Sequence, residues 1–396
     1  MTEIATLKVG IIGLGNIGRV HMRNMMTINN TELVGVCDYS KDNADKCAVE
    51  YQTKAFYTYA DLFEHSGLEA VIIAVPHTEH AAIAIEAFSR GIHVLCEKPL
   101  AIHVNEARKI NEAYEVAKKV HPGLTFAMMF QERTLPLYRK IKQIVESGEL
   151  GQLMRATWIN TEWFRSQAYY DSSGWRATWK GEGGGILTNQ CPHNLDFYQW
   201  VFGEPKRISG HAHLGKYHNI EVEDEVTAYF EHENGMIGHL MVSTAESPGT
   251  NRLEIVGVNG KLIYDNHQLV LHRYEMSTLK FLKESNDGFK NVDSTEEKIE
   301  VSASDSVGHT LVTEVFVNKA LTGVGELIAE GTEGMKSIMI ANGIMLSSFT
   351  GRMIETPYDG DEYERILNGL IQSSQFVKPA TQVKSSFADR SITFSK

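Results

Sequence analysis

The chain is short of cysteine, of long apolar runs and of concentrated positive charge. It has four cysteines in 396 residues, namely Cys37, Cys47, Cys96 and Cys191, at no paired spacing. That excludes a disulfide framework and leaves reduced thiols as the expectation. Among 16 histidines no HxxxH pattern appears, nor any CxxC, and His211-Ala-His213 falls in a strand-like run. No metal site is expected. No stretch reaches the roughly 18–20 apolar residues that cross a bilayer. The opening MTEIATLKVGII lacks a basic region and a cleavage site, so the expectation is a cytoplasmic chain with no membrane partner. With 38 basic and 50 acidic residues the net charge is −12, which argues against a nucleic-acid partner. The acidity is spread along the chain, which reads as solubility. No internal repeat or low-complexity block is present.

What is present is enough apolar content for a full core, 42%, at a length that suggests two domains. The first half alternates continuous apolar runs (LKVGIIG, TELVGVCD, AVIIAVP, HVLCEKP, LTFAMMF) with helical stretches at 17–28, 41–51, 78–90 and 103–120. Continuous apolarity marks strands buried on both faces, and the alternation marks a parallel, doubly wound sheet. Thr78 is read as the cap of the third helix and Gly91 as the residue that ends it. After residue 150 the runs lengthen and alternate, with primed hairpin turns expected at Asn234-Gly235 and Asn259-Gly260. This half predicts a large open, mostly antiparallel sheet with helices near 186–202, 306–321 and 333–350. The domains are drawn at 1–131, 132–373 and a loosely ordered tail, 374–396.

KVGIIGLGNIG places a GxGxxG pattern (Gly13, Gly15, Gly18) after the first strand and into a helix. Gly13 allows the tight turn, Gly15 the approach of a pyrophosphate and Gly18 close packing of helix on sheet. The helix start at Asn16 and Ile17 offers free N–H groups to phosphate. Asp38 follows the second strand, where a carboxylate accepts hydrogen bonds from ribose hydroxyls and repels a 2′-phosphate. Lys41 is the one cation near it, and a point charge clamps phosphate less well than arginine. NAD is therefore the expected cofactor, with NADP disfavoured. The competing reading is a structural turn beside a surface aspartate.

Glu97-Lys98-Pro99 follows the strand HVLC, so Lys98 is expected in the crevice beyond the strand ends, with Glu97 to orient it and Pro99 to stiffen the turn. A partly desolvated lysine there has its pKa lowered toward the range of a proton-transfer group.

GLGNIG, AVIIAVPHTEH, GIHVLCEKPL and a later GGG…H…D segment together resemble the glucose-fructose oxidoreductase / inositol dehydrogenase / MocA (Gfo/Idh/MocA) family, over residues 7 to about 357. The resemblance implies a Rossmann domain followed by an α/β domain whose open sheet often forms the oligomer interface. On that basis a homodimer or homotetramer is expected. It also implies NAD(P)-dependent oxidation of a sugar or cyclitol hydroxyl, or the reverse. Carried onto this sequence, Lys98 matches the catalytic lysine, while Pro76 and His77 match residues along the cofactor. Gln131 stands where the family often has Asn near the nicotinamide, with Arg133 and Pro136 keeping the rest of that pattern. His193 matches the active-site histidine, but Asn189 stands in the place of an aspartate. Asn accepts or donates a hydrogen bond and cannot take a proton, so proton transfer would rest on Lys98 and His193.

In GGGILTNQCPHNLDF, Asn189 is read as the cap of a helix whose first turn carries His193, with a depressed imidazole pKa from the helix N-terminus. Asp196 is read as support for that helix start, and the glycines as allowing close approach to ligand or sheet. Upstream, the aromatic-rich 161–185 holds Trp163, Phe164, Tyr169, Tyr170, Trp175 and Trp179 with Arg165, Arg176 and Lys180. Such rings stack on the C–H faces of sugars. Half of them are expected to pack in the core or an oligomer interface, with Trp175 and Arg176 nearest the ligand. The reading is an NAD-dependent dehydrogenase of a sugar, glycoside or inositol. The alternatives are an enzyme that cleaves glycosides by transient oxidation and elimination, and a non-catalytic dinucleotide-binding regulator.

Overall fold

The computed structural model describes residues 5–302 and 307–378. Six parallel strands form the first sheet: β1 (Leu7–Ile12), β2 (Thr31–Cys37), β3 (Lys54–Phe56), β4 (Ala70–Ile73), β5 (His93–Cys96) and β6 (Phe126–Met128), in the order β3-β2-β1-β4-β5-β6. The order reverses beside β1, which opens a crevice at the carboxyl ends of β1 and β4. β4 is buried at every position, as its continuous apolarity predicts. Two apolar layers cover the sheet, one around Leu7, Ile11 and Met22, the other around Val71, Phe88 and Phe126. β3 has no counterpart in the sequence reading. It is a three-residue, partly exposed edge strand, too short to show a period.

Nine strands form the second sheet. β7 (Leu153–Asn160), β8 (Arg207–Leu214), β9 (Glu223–Glu231), β10 (Ile237–Ser243), β11 (Asn251–Gly257), β12 (Gly260–Asp265), β13 (Gln268–Tyr274), β14 (Ser294–Lys298) and β15 (Ile354–Glu355) lie in the order β14-β13-β12-β11-β7-β10-β9-β8-β15. Every pair is antiparallel except β7 with β10. β7 alternates buried and half-buried residues, the mark of a sheet with one covered face. The helices Pro192–Phe202 and Gly334–Thr350 pack on that face.

The two expected hairpins form, but not with the primed turns. Asn234 and Asn259 keep negative φ, and Gly235, at +85°, supplies the left-handed residue of a longer loop. The pair with φ positive at both positions is Asn266 and His267, at 44° and 64°, between β12 and β13.

Helix ends bring three corrections. Thr78 lies inside a short 3₁₀ turn, His77–Glu79, and the helix His80–Ser89 starts after it with no side-chain cap. Asn189 is not a helix cap: the helix begins at Pro192, after Cys191, and residues 185–191 form the turn before it. Asp196 does not support the helix start. It is buried and meets the Arg133 guanidinium with both oxygens, at 2.6 and 2.8 Å.

The chain also returns to the first domain late. Val312, Phe316 and Val317, on the helix Gly308–Thr322, join the core of β1 and the helix Asn16–Met25. This carries His309 to the crevice. Of the expected tail, Ser374 hydrogen-bonds Glu221 and the Lys378 ammonium lies 2.5 Å from the Tyr170 carbonyl oxygen, while Val377 is exposed; residues 379–396 lie outside the described residues.

Candidate active site

A cleft of about 1190 Å³ runs from the glycine loop to the 163–190 segment. Every residue singled out above for cofactor or substrate lines it except Gly18, which sits beneath. At the loop, Gly13 has φ of +90°, and a Cβ on Gly18 would lie 1.9 Å from the Gly13 carbonyl oxygen. A Cβ on Gly15 would touch nothing within 4 Å, so the backbone there is open to an incoming phosphate. The helix Asn16–Met25 starts at this point with no side-chain cap, leaving its first N–H groups for a ligand. Asp38 holds the loop as well as facing the cleft: Oδ2 accepts from the Leu14 N–H at 3.0 Å and the Asn43 amide at 2.9 Å, and Oδ1 from the Ser40 N–H at 2.9 Å. Lys41 lies over the Tyr57 ring, 5.2 Å from its centroid. These residues fit the adenosine and pyrophosphate of a dinucleotide.

Lys98 reaches across the crevice and donates to the main-chain oxygen of Asn189 at 2.7 Å. Burial lowers its pKa, against the opposing pull of Glu97. Glu97 does not meet the ammonium as expected. Its Oε1 lies 2.9 Å from His21 Nε2 and 3.8 Å from His309 Nε2, and its Oε2 accepts the Lys98 N–H at 3.2 Å. Burial alone would raise this carboxyl, but the His21 hydrogen bond and the two rings hold it at about 2.

His193 Nε2 lies 2.9 Å from Gln131 Nε2. An amide nitrogen donates, so Nε2 accepts and the ring proton sits on Nδ1, which has no partner. The His193 pKa falls well below the ordinary value, through burial first and Lys98 second. The depression expected at this helix start is present, with burial as its largest cause. His77 lines the cleft against Trp175, ring centroids 6.0 Å apart. His80 is buried, its ring nitrogens 2.8 and 3.0 Å from the carbonyls of Pro99 and Val75.

The glycine run serves the sheet. A Cβ on Gly185 would fall 2.0 Å from the Glu223 carbonyl oxygen on β9, and the Glu223 carboxylate accepts the N–H groups of Gly185 and Leu187 at 2.9 and 3.0 Å. The Asn189 amide, by contrast, is set by a residue the sequence did not single out. Its Nδ2 donates to Glu182, a buried carboxylate that also accepts the Ala177 N–H at 2.5 Å. Because a carboxylate only accepts, Asn189 must turn its nitrogen inward and keeps Oδ1 as a free acceptor.

Glu132 is a second cleft residue that carries no signal in the sequence. It lines the cleft, its Oε2 is buried without a partner, and burial pushes its pKa up to about 8. Three of the six aromatics, Trp163, Tyr169 and Trp175, line the cleft; only Tyr170 and Trp179 are core, fewer than the half expected, and Phe164 is exposed. All four cysteines are buried and unpaired. Among the described residues no group of histidine, cysteine and carboxylate side chains could hold a metal, and no helix is long and apolar enough to cross a membrane.

Comparison with known proteins bears on the family and the fold. The oxidoreductase family model with an NAD-binding Rossmann fold matches residues 7–123, and the GFO/IDH/MocA C-terminal domain matches residues 138–263. Inositol 2-dehydrogenase of Salmonella typhimurium is 27% identical over 277 residues, 66% of this chain and 70% of that protein. Glucose-6-phosphate 3-dehydrogenase of Bacillus subtilis is 26% identical over 281 residues, 68% and 77% of the two chains. Among solved structures, the WlbA dehydrogenase of Bordetella pertussis with NADH and UDP-GlcNAcA superposes with a TM-score of 0.74 at 23% identity, over 89% of this chain and all (100%) of that one. Levoglucosan dehydrogenase with NADH and levoglucosan gives 0.72 at 19% identity, with the same coverage of 89% and 100%. The two matched domains account for most of the sequence, and the chain belongs to the GFO/IDH/MocA family of NAD-binding oxidoreductases.

Proposed function

We propose that the protein is an NAD-dependent dehydrogenase that moves hydride between a secondary hydroxyl of a sugar, glycoside or inositol and the nicotinamide, with Lys98 and His193 handling the proton. The observation that carries this is the convergence of Lys98, His193 and Asn189 on the cleft that begins at the glycine loop. When bound, the nicotinamide supplies the hydride acceptor and, as a cation, adds to the lowering of the Lys98 pKa. Lys98 draws the hydroxyl proton from the substrate oxygen; its lowered pKa makes the free amine accessible. His193 is neutral at neutral pH and orients the same oxygen. Asn189 Oδ1 accepts from a neighbouring substrate hydroxyl. The names of the inositol and glucose-6-phosphate dehydrogenases support a polyol substrate. Activity in the cytoplasm as a homodimer or homotetramer, through the outer face of the second sheet, is part of the same proposal.

The test is NAD⁺ reduction followed by absorbance across inositols, aldoses and glycosides. Reduction by one of them is expected; no reduction by any, with NADH bound tightly, contradicts the reading. Glu132 favours one second reading. A carboxyl that stays protonated at neutral pH would protonate the leaving alkoxide as the C–H proton next to the transient ketone is removed; water then adds to the enone so formed and the hydride returns, so that a glycoside is hydrolysed with no net use of NAD. Release of sugar with no net absorbance change would mark that case.

A further inference from the structure

The far end of the cleft is built around two guanidiniums and one phenol. The Arg165 and Arg176 guanidinium carbons lie 5.0 and 4.3 Å from the Tyr169 ring centroid, with Trp163 and Trp175 stacked behind at 5.7 and 4.7 Å. Their charge is poorly matched. Among the described residues no carboxylate oxygen lies within 4.0 Å of Arg165. Arg176 has only Glu182, at 3.8 Å, and that carboxylate already serves the Ala177 N–H and the Asn189 amide. Glu132, the other acid at this end of the cleft, has its pKa raised to about 8 and is protonated at neutral pH. Lys98 adds a further cation. Of the other acids lining the cleft, Asp38 holds the glycine loop and Glu97 meets His21 and His309, while Glu79, on the His77–Glu79 turn, makes no ion pair with either arginine among the described residues.

Hydrogen bonding points the same way. Arg176 donates from Nη1 to the Tyr169 hydroxyl at 2.5 Å, yet its Nε–H is buried without a partner. Gln190 donates to the same hydroxyl at 3.2 Å, and its Oε1 is likewise buried and unpartnered. A buried donor of a charged group is costly to leave unmet. An arginine fork with a free N–H, beside a second guanidinium, matches a carboxylate or phosphate oxygen better than a neutral hydroxyl.

We infer that the substrate carries an anionic substituent, a carboxylate or a phosphoryl group, seated on Arg165 and Arg176, so that its polyol ring lies between these guanidiniums and Lys98 with Tyr169 and Trp175 along it. This rests on the dehydrogenase reading above for the identity of the ring, and on the guanidiniums alone for the charge. Gln190 Oε1 accepts from a ring hydroxyl next to the anionic group.

The test is calorimetric titration of the NADH-saturated full-length protein with D-glucuronate, D-glucose 6-phosphate, D-glucose and myo-inositol, at low and high salt. One of the two anions is expected to bind roughly tenfold or more tightly than either neutral compound, with the preference falling at high salt. The stronger of the two identifies carboxylate or phosphoryl as the group. Arg165→Gln, at a half-exposed position where folding is not at risk, and Arg176→Gln should each remove most of the preference while NADH affinity stays unchanged. Equal binding of neutral and anionic sugars, binding of neither anion, or a preference that survives Arg165→Gln would overturn the inference. Oxidation of neutral polyols without any anionic preference would leave the dehydrogenase reading standing and sink this one. Tight, arginine-dependent anion binding without oxidation would do the reverse.

Discussion

The Lys98 ammonium donates to the main-chain oxygen of Asn189 across 91 positions of sequence, at 2.7 Å. This bond ties the end of β5 in one domain to the turn before His193 in the other, and it points the lysine at the cleft. A lysine held against one carbonyl in a poorly solvated place gives up its proton more readily than one in water. In the hydroxyl-oxidising direction kcat/KM should therefore rise with pH through a single midpoint below the ordinary lysine value of about 10.4. No limb is expected near the ordinary histidine value, because the His193 pKa is already well below it. A pH profile in His193→Asn should keep the alkaline rise at lower amplitude; disappearance of the rise in this variant would assign it to His193 and refute the account.

Glu182 fixes the Asn189 amide, and the pair can be exchanged. Asn189→Asp alone would set two carboxyl groups against each other in a buried place, and kcat/KM should fall by about tenfold or more. Glu182→Gln lets the amide turn either way, so KM for substrate should rise more than kcat falls. The double variant, Glu182→Gln with Asn189→Asp, restores one donor facing one acceptor and keeps an oxygen toward the cleft. Recovery in the double variant beyond either single change is the expected result, read from steady-state kinetics. Simple additivity would show the two residues acting independently.

Glu132 makes stability depend on pH. Its folded pKa, pushed up to about 8 by burial, lies above the unfolded value of about 4.3. Between those values the folded state holds a proton that the unfolded state has lost, so this group's contribution to stability declines as pH rises through the window. Glu132→Gln removes the titration. The difference in denaturant midpoint between Glu132→Gln and wild type should therefore grow in favour of the variant from about pH 4.3 to about pH 8 and level off above. A constant difference would mean that Glu132 is ionised in the folded protein.

Arg133 and Asp196 form a buried ion pair, with Glu333 on Arg133 at 2.9 Å. Asp196→Ala strips the inner partner from a guanidinium with almost no access to water. The loss should be about 3–5 kcal/mol, measured by chemical unfolding. A change below about 1 kcal/mol, the size of an exposed pair, would show that Glu333 and the Ile328 carbonyl suffice.

Both sheets were legible because their periods differ: β4 is apolar throughout and β5 is apolar after His93, whereas β7 and β9 alternate. Residues near one another in sequence were legible too, the glycine loop with Asp38 and the Glu97-Lys98 pair among them. The misreadings share a physical cause. Thr78 and Asn189 have good capping side chains, but tertiary contacts decided where each helix starts, and Asn189 found Glu182 instead of its own backbone. Asp196 looked local because its partner, Arg133, lies 63 positions away. Glu132 lies between Gln131 and Arg133, yet nothing in composition marks a glutamate that burial will leave without a partner. Glu182 had a weak signal, a lone acid within GEGGG beside the aromatic run.

The central claim is that Lys98 carries the proton of a hydroxyl oxidation at a site that binds NAD independently of it. The most direct measurement is NAD⁺ reduction by the best polyol of the panel, wild type against Lys98→Ala, with NADH binding titrated by fluorescence in both. The account predicts a loss of about 10²–10⁴ in kcat/KM with NADH affinity essentially unchanged. A Lys98→Ala variant that binds NADH as wild type does and oxidises the polyol at a comparable rate would contradict it.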